Sequence, residues 1–474
     1  MRPLLLSEIV SATDGKVLTA PDKAPSYGGS TLRIHQRVLR RRIKSISTDT
    51  RNIKKGDLFV AVKGANFDGH DFLLQAQKQG ASAIIASKSP VGIKIPLIKV
   101  ADTFKALGDI ASYYRTKINA KVIAITGSNG KTTTKEMLCK ILSSFGKTLE
   151  SPKSYNNFIG VPLTMFMAEP VHKYVIFELG TNQKGEIPYL AKIVKPDIAV
   201  ITNIGPSHLA GLGSISGVAR AKASLFKYLK PSGVAITEYD NKLLKPYLKQ
   251  LRNNIVSFGL DDRATIWAEN ISYKNNKLSF IVNGLYDCVL PVMGVWNISN
   301  ALAALSVVYA LGLDLKKACN ALKSCRLPPM RMQKETVKGI TLINDAYNAN
   351  PLSTAGLVDE LGLMRPKGRK ILVFGEMKEL GKYSSRYHSE IADRIKDSRL
   401  DEVILVGEET RFTEKRLKEN KFTGIVFSFK SAVEISDKLS IRLKKGDIVA
   451  FKGSRGVGLD KVLERIKSSL KRNR

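Results

Sequence analysis

The stretch AITGSNGKTTTKEM, residues 124–137, sets two glycines and the run Lys131-Thr132-Thr133-Thr134 directly behind an apolar segment. That segment, Lys121 to Thr126, is β-branched and ends at a glycine, which predicts a short buried strand. From Lys131 onward, Met137, Leu138, Ile141 and Leu142 recur at helical spacing. Strand, glycine turn and helix start therefore follow one another without a gap. A helix start offers unpaired backbone N–H groups and the positive end of its dipole, and both favour phosphate. Gly127 and Gly130 permit backbone shapes that a side chain would block. Lys131 supplies a point charge for terminal phosphate oxygens, and the Thr132 hydroxyl can ligate Mg²⁺. The generic phosphate-loop pattern wants a glycine where this chain has Ile125, so the tighter GSNGKTT form carries the reading alone. It predicts a nucleoside triphosphate site.

A chain of 474 residues is long for one core and predicts two or three domains. Hydrophobic residues at 43% and charged residues at 25% are ordinary for a soluble globular protein. No apolar run approaches the roughly 18 residues of a membrane helix. The opening PLLLSEIV is broken by Glu8 and lacks a signal-peptide pattern. Cys139, Cys288, Cys319 and Cys325 have no metal-ligand spacing and suit reduced thiols, so a cytoplasmic location is expected. The formal net charge of +34 stands out. It admits a nucleic-acid partner, anionic substrates, weak association with an anionic membrane surface, or a lysine-rich bias spread over solvated faces. The densest patches are RVLRRRIK (37–44) and the C-terminal KSSLKRNR. No nucleic-acid module accompanies them, so no nucleic acid is required.

Three regions separate. Residues 1 to about 105 hold a loop-like insert, PDKAPSYGGST (21–31), then a strand–turn–helix–strand rhythm of a small α/β domain. Residues of about 106–325 carry the phosphate turn, the strands in YVIFELG (174–180) and DIAVITNIG (197–205), and a β-rich stretch near 255–293. Residues of about 326–474 repeat a βα rhythm through KILVFGEM, DEVILVG, GIVFSF and DIVAFKGS. Such alternation predicts an α/β protein with open, mostly parallel sheets whose ligands sit at the strands' carboxyl ends.

Glu178 ends an apolar strand, where its carboxylate would face the nucleotide; with Thr132 it offers Mg²⁺ two hard oxygens. Asn203 and His208 follow the next strand on a loop, and Lys222 falls in a helix just downstream. His172 and His35 take no role.

At this point the chain resembles a known family. GSNGKTTTKEM, YNNFIGVPLTMF (155–166), FELGTNQKGEI (177–187), NIGPSHLAGLGS and ARAKASLF follow the order and spacing of the Mur ligases, ATP-dependent amide-forming enzymes of peptidoglycan precursor synthesis. NDAYNANP (344–351), GEMKELG (375–381) and KGSRGVGLDKV (452–462) look like the branch that joins D-alanyl-D-alanine to UDP-N-acetylmuramoyl-tripeptide. The resemblance implies a first domain (1–105) for the UDP-sugar, a central P-loop-type ATPase domain (106–325), and a Rossmann-like C-terminal domain (326–474). That last domain would close on the nucleotide and bind the incoming dipeptide. It implies that Gly127, Ser128, Asn129, Gly130, Lys131, Thr132 and Thr133 hold ATP. Thr132 and Glu178 would hold one Mg²⁺, and His208 a second. Lys222 matches the family lysine that becomes a carbamate, which requires a neutral amine and so a depressed pKa. Asn300 matches a nucleotide-contacting asparagine, and Arg331 an arginine that reaches the phosphates. Asp345, Tyr347 and Asn348 would clamp the nucleotide. Ser47, Thr48, Asp49, Arg51 and Gly64 are the expected contacts for the uridine end. On this reading Lys131, Lys222, His208 and Arg331 carry the chemistry, in a monomer.

The chain departs from the family pattern in one motif. Where the family usually has histidine in GxHNxxN, it reads GVWNISN, with Trp296 in that place. An indole can pack or stack but cannot act as a base. Three alternatives stay open: a sister ligase adding a single amino acid, a basic nucleic-acid-binding NTPase, and a non-catalytic paralogue.

Overall fold

The computed structural model describes residues 1–18, 36–64, 66–89, 91–153, 155–274, 277–435 and 442–472. The 21–31 insert and His35 lie outside the described residues, as do the last two residues of the basic C-terminus.

The strand Lys121–Thr126 forms as its composition predicts and lies inside a nine-stranded sheet. Tyr174–Glu178 and Ile198–Ile201 flank it, both parallel to it. Successive side chains of a strand point to opposite faces, and a parallel sheet needs both faces covered. Val122 and Ala124 accordingly join a core with Leu107, Ile110, Val161 and Leu190 from helices on one side. Ile123 and Ile125 join a second core with Met137, Leu138, Ile141 and Leu302 on the other. All four strand residues are fully buried. The far edge of this sheet turns antiparallel through Ile266–Lys274, Lys277–Val282 and Tyr286–Leu290, which accounts for the β-rich stretch read near 255–293.

A five-stranded sheet lies N-terminal to it, its strands running from Lys16–Leu18 to Leu97–Lys99 in sequence. A six-stranded sheet lies C-terminal, ordered Gln333–Val337, Ile340–Asn344, Ile448–Lys452, Lys370–Gly375, Glu402–Val406 and Ile425–Phe429. Its first pair is antiparallel and the rest parallel. The α/β class and the mostly parallel sheets are as expected. The helix Thr103–Arg115 runs through residue 105 and shares a core with both Leu6 and Val122, so the first two sheets are joined by continuous packing.

Strand order decides where the chemistry gathers. The carboxyl ends of the central strands carry the glycine turn, Glu178 and Asn203, and those of the C-terminal sheet carry Asp345, Glu376 and Gly453. These two rims face each other across a cleft of about 830 Å³.

Candidate active site

The helix Lys131–Leu142 begins at Gly130, whose φ of +79° only glycine adopts without strain. A Cβ at Gly130 would drive into the Asn300 carboxamide, and one at Gly127 into the Thr202 hydroxyl. The turn thus packs closely against Asn300 and Thr202, which themselves line the cleft. Asn203 fixes its shape: Ser128 N–H donates to the Asn203 carbonyl (3.1 Å) and Asn129 N–H to its side chain (2.9 Å). The Lys131 ammonium folds back to the Gly127 carbonyl at 2.8 Å. Burial lowers its pKa, and Arg331 nearby lowers it further against the opposing pull of Glu178.

Thr132 is the meeting point. Its hydroxyl donates to Glu178 at 2.8 Å and accepts from the Arg331 guanidinium at 3.0 Å. Glu178 is 2% exposed, and its second oxygen accepts from Asn156 at 2.8 Å. Arg331 stacks its guanidinium 4.4 Å from the Tyr347 ring centroid. A further bridge joins the two rims where the carboxamides of Asn129 and Asn350 exchange hydrogen bonds.

Profiles of the Mur ligase family match three stretches: the family's catalytic domain at 42–115, its middle domain at 125–308 and its glutamate ligase domain at 330–455. A UDP-N-acetylmuramoyl-tripeptide–D-alanyl-D-alanine ligase of Buchnera aphidicola subsp. Baizongia pistaciae is 39% identical over 434 residues, covering 90% of this chain and 92% of that protein. The chain belongs to the Mur ligase family. The Escherichia coli K12 protein of the same name is 34% identical over 433 residues, covering 90% and 94%. A crystal structure of MurF from Acinetobacter baumannii superimposes at a TM-score of 0.86 with 29% identity, covering 99% of each chain. MurF ligase from Thermotoga maritima, in complex with ADP, superimposes at 0.82 with 29% identity, covering 91% of this chain and 98% of that one.

In this Mur ligase Gly127 does not itself line the cleft, and the other expected residues divide into three groups. Ser128 through Thr133, Glu178, His208, Asn300, Arg331, Asp345, Tyr347 and Asn348 all line the cleft. Lys222 lies behind it, 1% exposed, and its ammonium has no hydrogen-bond partner among the described residues. Burial, and then the neighbouring Lys131 charge, push its pKa well below that of an ordinary lysine. Ser47, Thr48, Asp49, Arg51 and Gly64 form a third group that does not line the cleft. They sit at strand ends of the N-terminal sheet, where Asp49 caps the turn Thr50–Asn52 and pairs with Arg51 at 2.7 Å.

Asp345 also has partners within the C-terminal region. One carboxylate oxygen accepts from Met332 N–H at 3.1 Å and the other from the Lys452 ammonium at 2.6 Å. His208 Nδ1 lies 2.6 Å from the Glu379 carboxylate, which that imidazole holds below its usual pKa. Trp296, in the place of the family histidine, packs its indole against Gly356 of the helix Pro351–Leu363; a Cβ there would come within 3.2 Å of it.

Sequence reasoning missed Asn156, Asn350, Glu379 and Lys452. All four stand inside motifs it had singled out, but each acquires its role from a partner far away in the chain.

The site's donor set suits magnesium. Among the described residues no cluster of three or more His, Cys, Asp or Glu stands ready to hold a metal. Mg²⁺ prefers one or two protein oxygens and takes the rest from phosphate and water. Thr132 and Glu178, with oxygens 2.8 Å apart at the cleft wall, fit that preference.

Proposed function

We propose that this ligase joins D-alanyl-D-alanine to UDP-N-acetylmuramoyl-tripeptide at the expense of ATP, in peptidoglycan precursor synthesis. The observation that carries the reading is the knot at Thr132. There a hydroxyl from the first turn of the helix, a carboxylate from the neighbouring strand and an arginine from the loop entering the C-terminal sheet converge at a helix N-terminus. The relatives' names supply the substrates, and the ADP complex of the Thermotoga relative supports the nucleotide.

A carboxylate does not accept an amine at neutral pH, because its oxygen is a poor leaving group. On this reading the tripeptide's terminal carboxylate attacks the γ-phosphorus of ATP, the bond to ADP breaks, and an acyl phosphate results. The dipeptide's neutral amine then attacks the acyl carbon, and inorganic phosphate leaves. The chain contributes position and charge. Backbone N–H groups of the turn cradle the phosphates, while Lys131 and Arg331 offset the charge gathering on the transferred group. Asn156 and Arg331 hold Glu178 and Thr132 in place from either side. Asn300, with Asp345, Tyr347 and Asn348, would contact the nucleotide from the cleft wall.

Mg²⁺, held by Thr132 and Glu178, would neutralise phosphate charge. His208 lines the cleft and would offer a ring nitrogen to a second ion, with the Glu379 carboxylate 2.6 Å from its Nδ1. The depressed pKa of Lys222 favours the neutral amine that carbamate formation needs, and a carbamate would give that ion an anionic oxygen. Ser47, Thr48, Asp49, Arg51 and Gly64 take the uridine end on the N-terminal sheet. The three regions 1–105, 106–325 and 326–474 thus hold the UDP-sugar, the ATP and the incoming dipeptide. The protein works as a monomer in the cytoplasm and requires no nucleic acid; its four cysteines are free thiols, as a reducing compartment favours.

The test is phosphate release from ATP with UDP-muramoyl-tripeptide, with and without D-alanyl-D-alanine, and with single amino acids in its place. Release and ligation that depend on the dipeptide are expected. A product formed with a single amino acid, or release stimulated by RNA or DNA instead, overturns the reading.

A further inference from the structure

Arg331 is delivered by an improbable piece of backbone. The residues on either side of it, Met330 and Met332, both adopt left-handed conformations, with φ of +59° and +51°. Neither is glycine, asparagine or aspartate, the residues that visit this region readily. Two such residues in three persist only where their surroundings hold them.

Gln333 Oε1 accepts from Met330 N–H at 3.3 Å, and two further restraints come from a single loop. Met332 N–H donates to Asp345 Oδ1 at 3.1 Å, and Tyr347 N–H donates to the Met330 carbonyl at 3.2 Å. The loop after the strand Ile340–Asn344 therefore holds both sides of the Arg331 turn. Asp345 is held in turn by the Lys452 ammonium, 2.6 Å from Oδ2. Strand order puts Lys452 there. Asn344 pairs with Phe451 in the parallel ladder, and Asp345 N–H donates to the Phe451 carbonyl, so residues 107 apart in sequence end side by side. Lys452 is 3% exposed and Asp345 8%. A lysine and an aspartate buried together are each costly to leave without the other.

We infer that Lys452 and Asp345 are positioning residues that set the Arg331 turn, so that the guanidinium meets Thr132 at the phosphates. Each link in the series is a direct contact: Lys452 to Asp345, Asp345 to the Met332 amide, and Arg331 to the Thr132 hydroxyl. Both carboxylate oxygens of Asp345 take part in it. The inference rests on the proposed role of Arg331 in phosphoryl transfer.

Four variants test it: Lys452→Met, Asp345→Asn, Arg331→Ala and the double variant Lys452→Met/Arg331→Ala. Hydrogen–deuterium exchange over residues 328–334 of the substrate-free protein reads the turn directly. Ligation kinetics read its consequence. Loss of the positioning pair is expected to speed exchange at 328–334 and to lower kcat about a hundredfold, the scale of one lost charge-stabilising donor. The KM for UDP-muramoyl-tripeptide should stay unchanged. In the Arg331→Ala background, Lys452→Met should cost nothing further. Should Lys452→Met fail to fold, Asp345→Asn reads the same link, because it keeps an oxygen for Met332 and loses the charge for Lys452.

Multiplicative losses in the double variant overturn the inference, as does a raised KM for ATP with kcat and exchange unchanged. If Arg331→Ala alone ligates at the parent rate, the proposed role of Arg331 fails first and the positioning role falls with it. If Arg331→Ala is impaired but the pair is independent of it, the proposed function stands and only the relay fails.

Discussion

Asn129 and Asn350, 221 residues apart, pair their carboxamides reciprocally at 2.7 and 3.2 Å. Asn350 does two jobs at once. Its side-chain oxygen also accepts from Ser353 N–H and caps the helix Pro351–Leu363, so the helix start and the glycine turn are tied by one residue. Asn350→Asp keeps the cap but deletes the amide donor and sets a negative charge beside the phosphate turn. The KM for ATP should rise about tenfold, equivalent to roughly 1.4 kcal/mol. Thermal stability should hold, since aspartate caps as well as asparagine. Initial-rate kinetics and calorimetry check both, and an unchanged KM would show the pair to be incidental to nucleotide binding.

Lys131→Ala and Glu178→Gln should each lower turnover by about two to three orders of magnitude, the range measured when one charge-stabilising group is lost. Circular dichroism and melting should show the fold retained. Near-parental ligation by either variant contradicts the roles given to them.

Lys222→Ala removes a side chain that has no partner and sits behind the cleft. If its carbamate supplies an anionic oxygen, added short carboxylic acids should restore part of the lost rate. Ligation assays across a series of acetate concentrations measure this, and a flat response argues against a carbamate.

Gly130→Ala would force a Cβ into the Asn300 carboxamide at a left-handed position. Isothermal titration should find ATP affinity lost, with a destabilisation of about 1–3 kcal/mol from the strained conformation. Wild-type affinity would mean that the turn is free to move away from Asn300.

His388 gives the fold an acid limit. It is fully buried, its Nε2 accepts from Met377 N–H at 3.0 Å, and its Nδ1 faces the Ser384 carbonyl at 2.9 Å. Burial lowers its pKa against the bond to Ser384 and the charges of Glu409 and Glu376. The unfolded chain therefore takes up this proton first. Stability is complete above about pH 6.5, the ordinary histidine value, and falls below it by up to about 1.4 kcal/mol per pH unit until the folded-state pKa is reached. Denaturant midpoints between pH 5 and 8 should show that limb, and His388→Gln should flatten it. An unaltered limb would assign it to other groups.

The sequence discloses those parts of the site that are local. Strand Lys121–Thr126, the glycine turn and the helix behind it are set by residues in a row, so periodicity and glycine placement suffice. Glu178 is legible because it closes an apolar strand. Lys452 and Glu379 are not, because a lysine after a strand or a glutamate in a turn is ordinarily solvated. Only the strand order of the C-terminal sheet brings Lys452 to Asp345, and only the docking of that sheet brings Glu379 to His208. The motif NDAYNANP marks Asp345, but nothing in it reveals that the carboxylate also binds the Met332 amide and the Lys452 ammonium. The left-handed methionines around Arg331 were equally hidden, because methionine carries no preference for that conformation.

The indole of Trp296 resting on Gly356 equips this protein with an optical gauge. The chain contains just two tryptophans, and the other, Trp267, lies in the strand Ile266–Lys274. With Trp267 replaced by phenylalanine, the emission of the remaining indole would follow the separation of the two rims in real time, unlabelled, as substrates arrive and product departs.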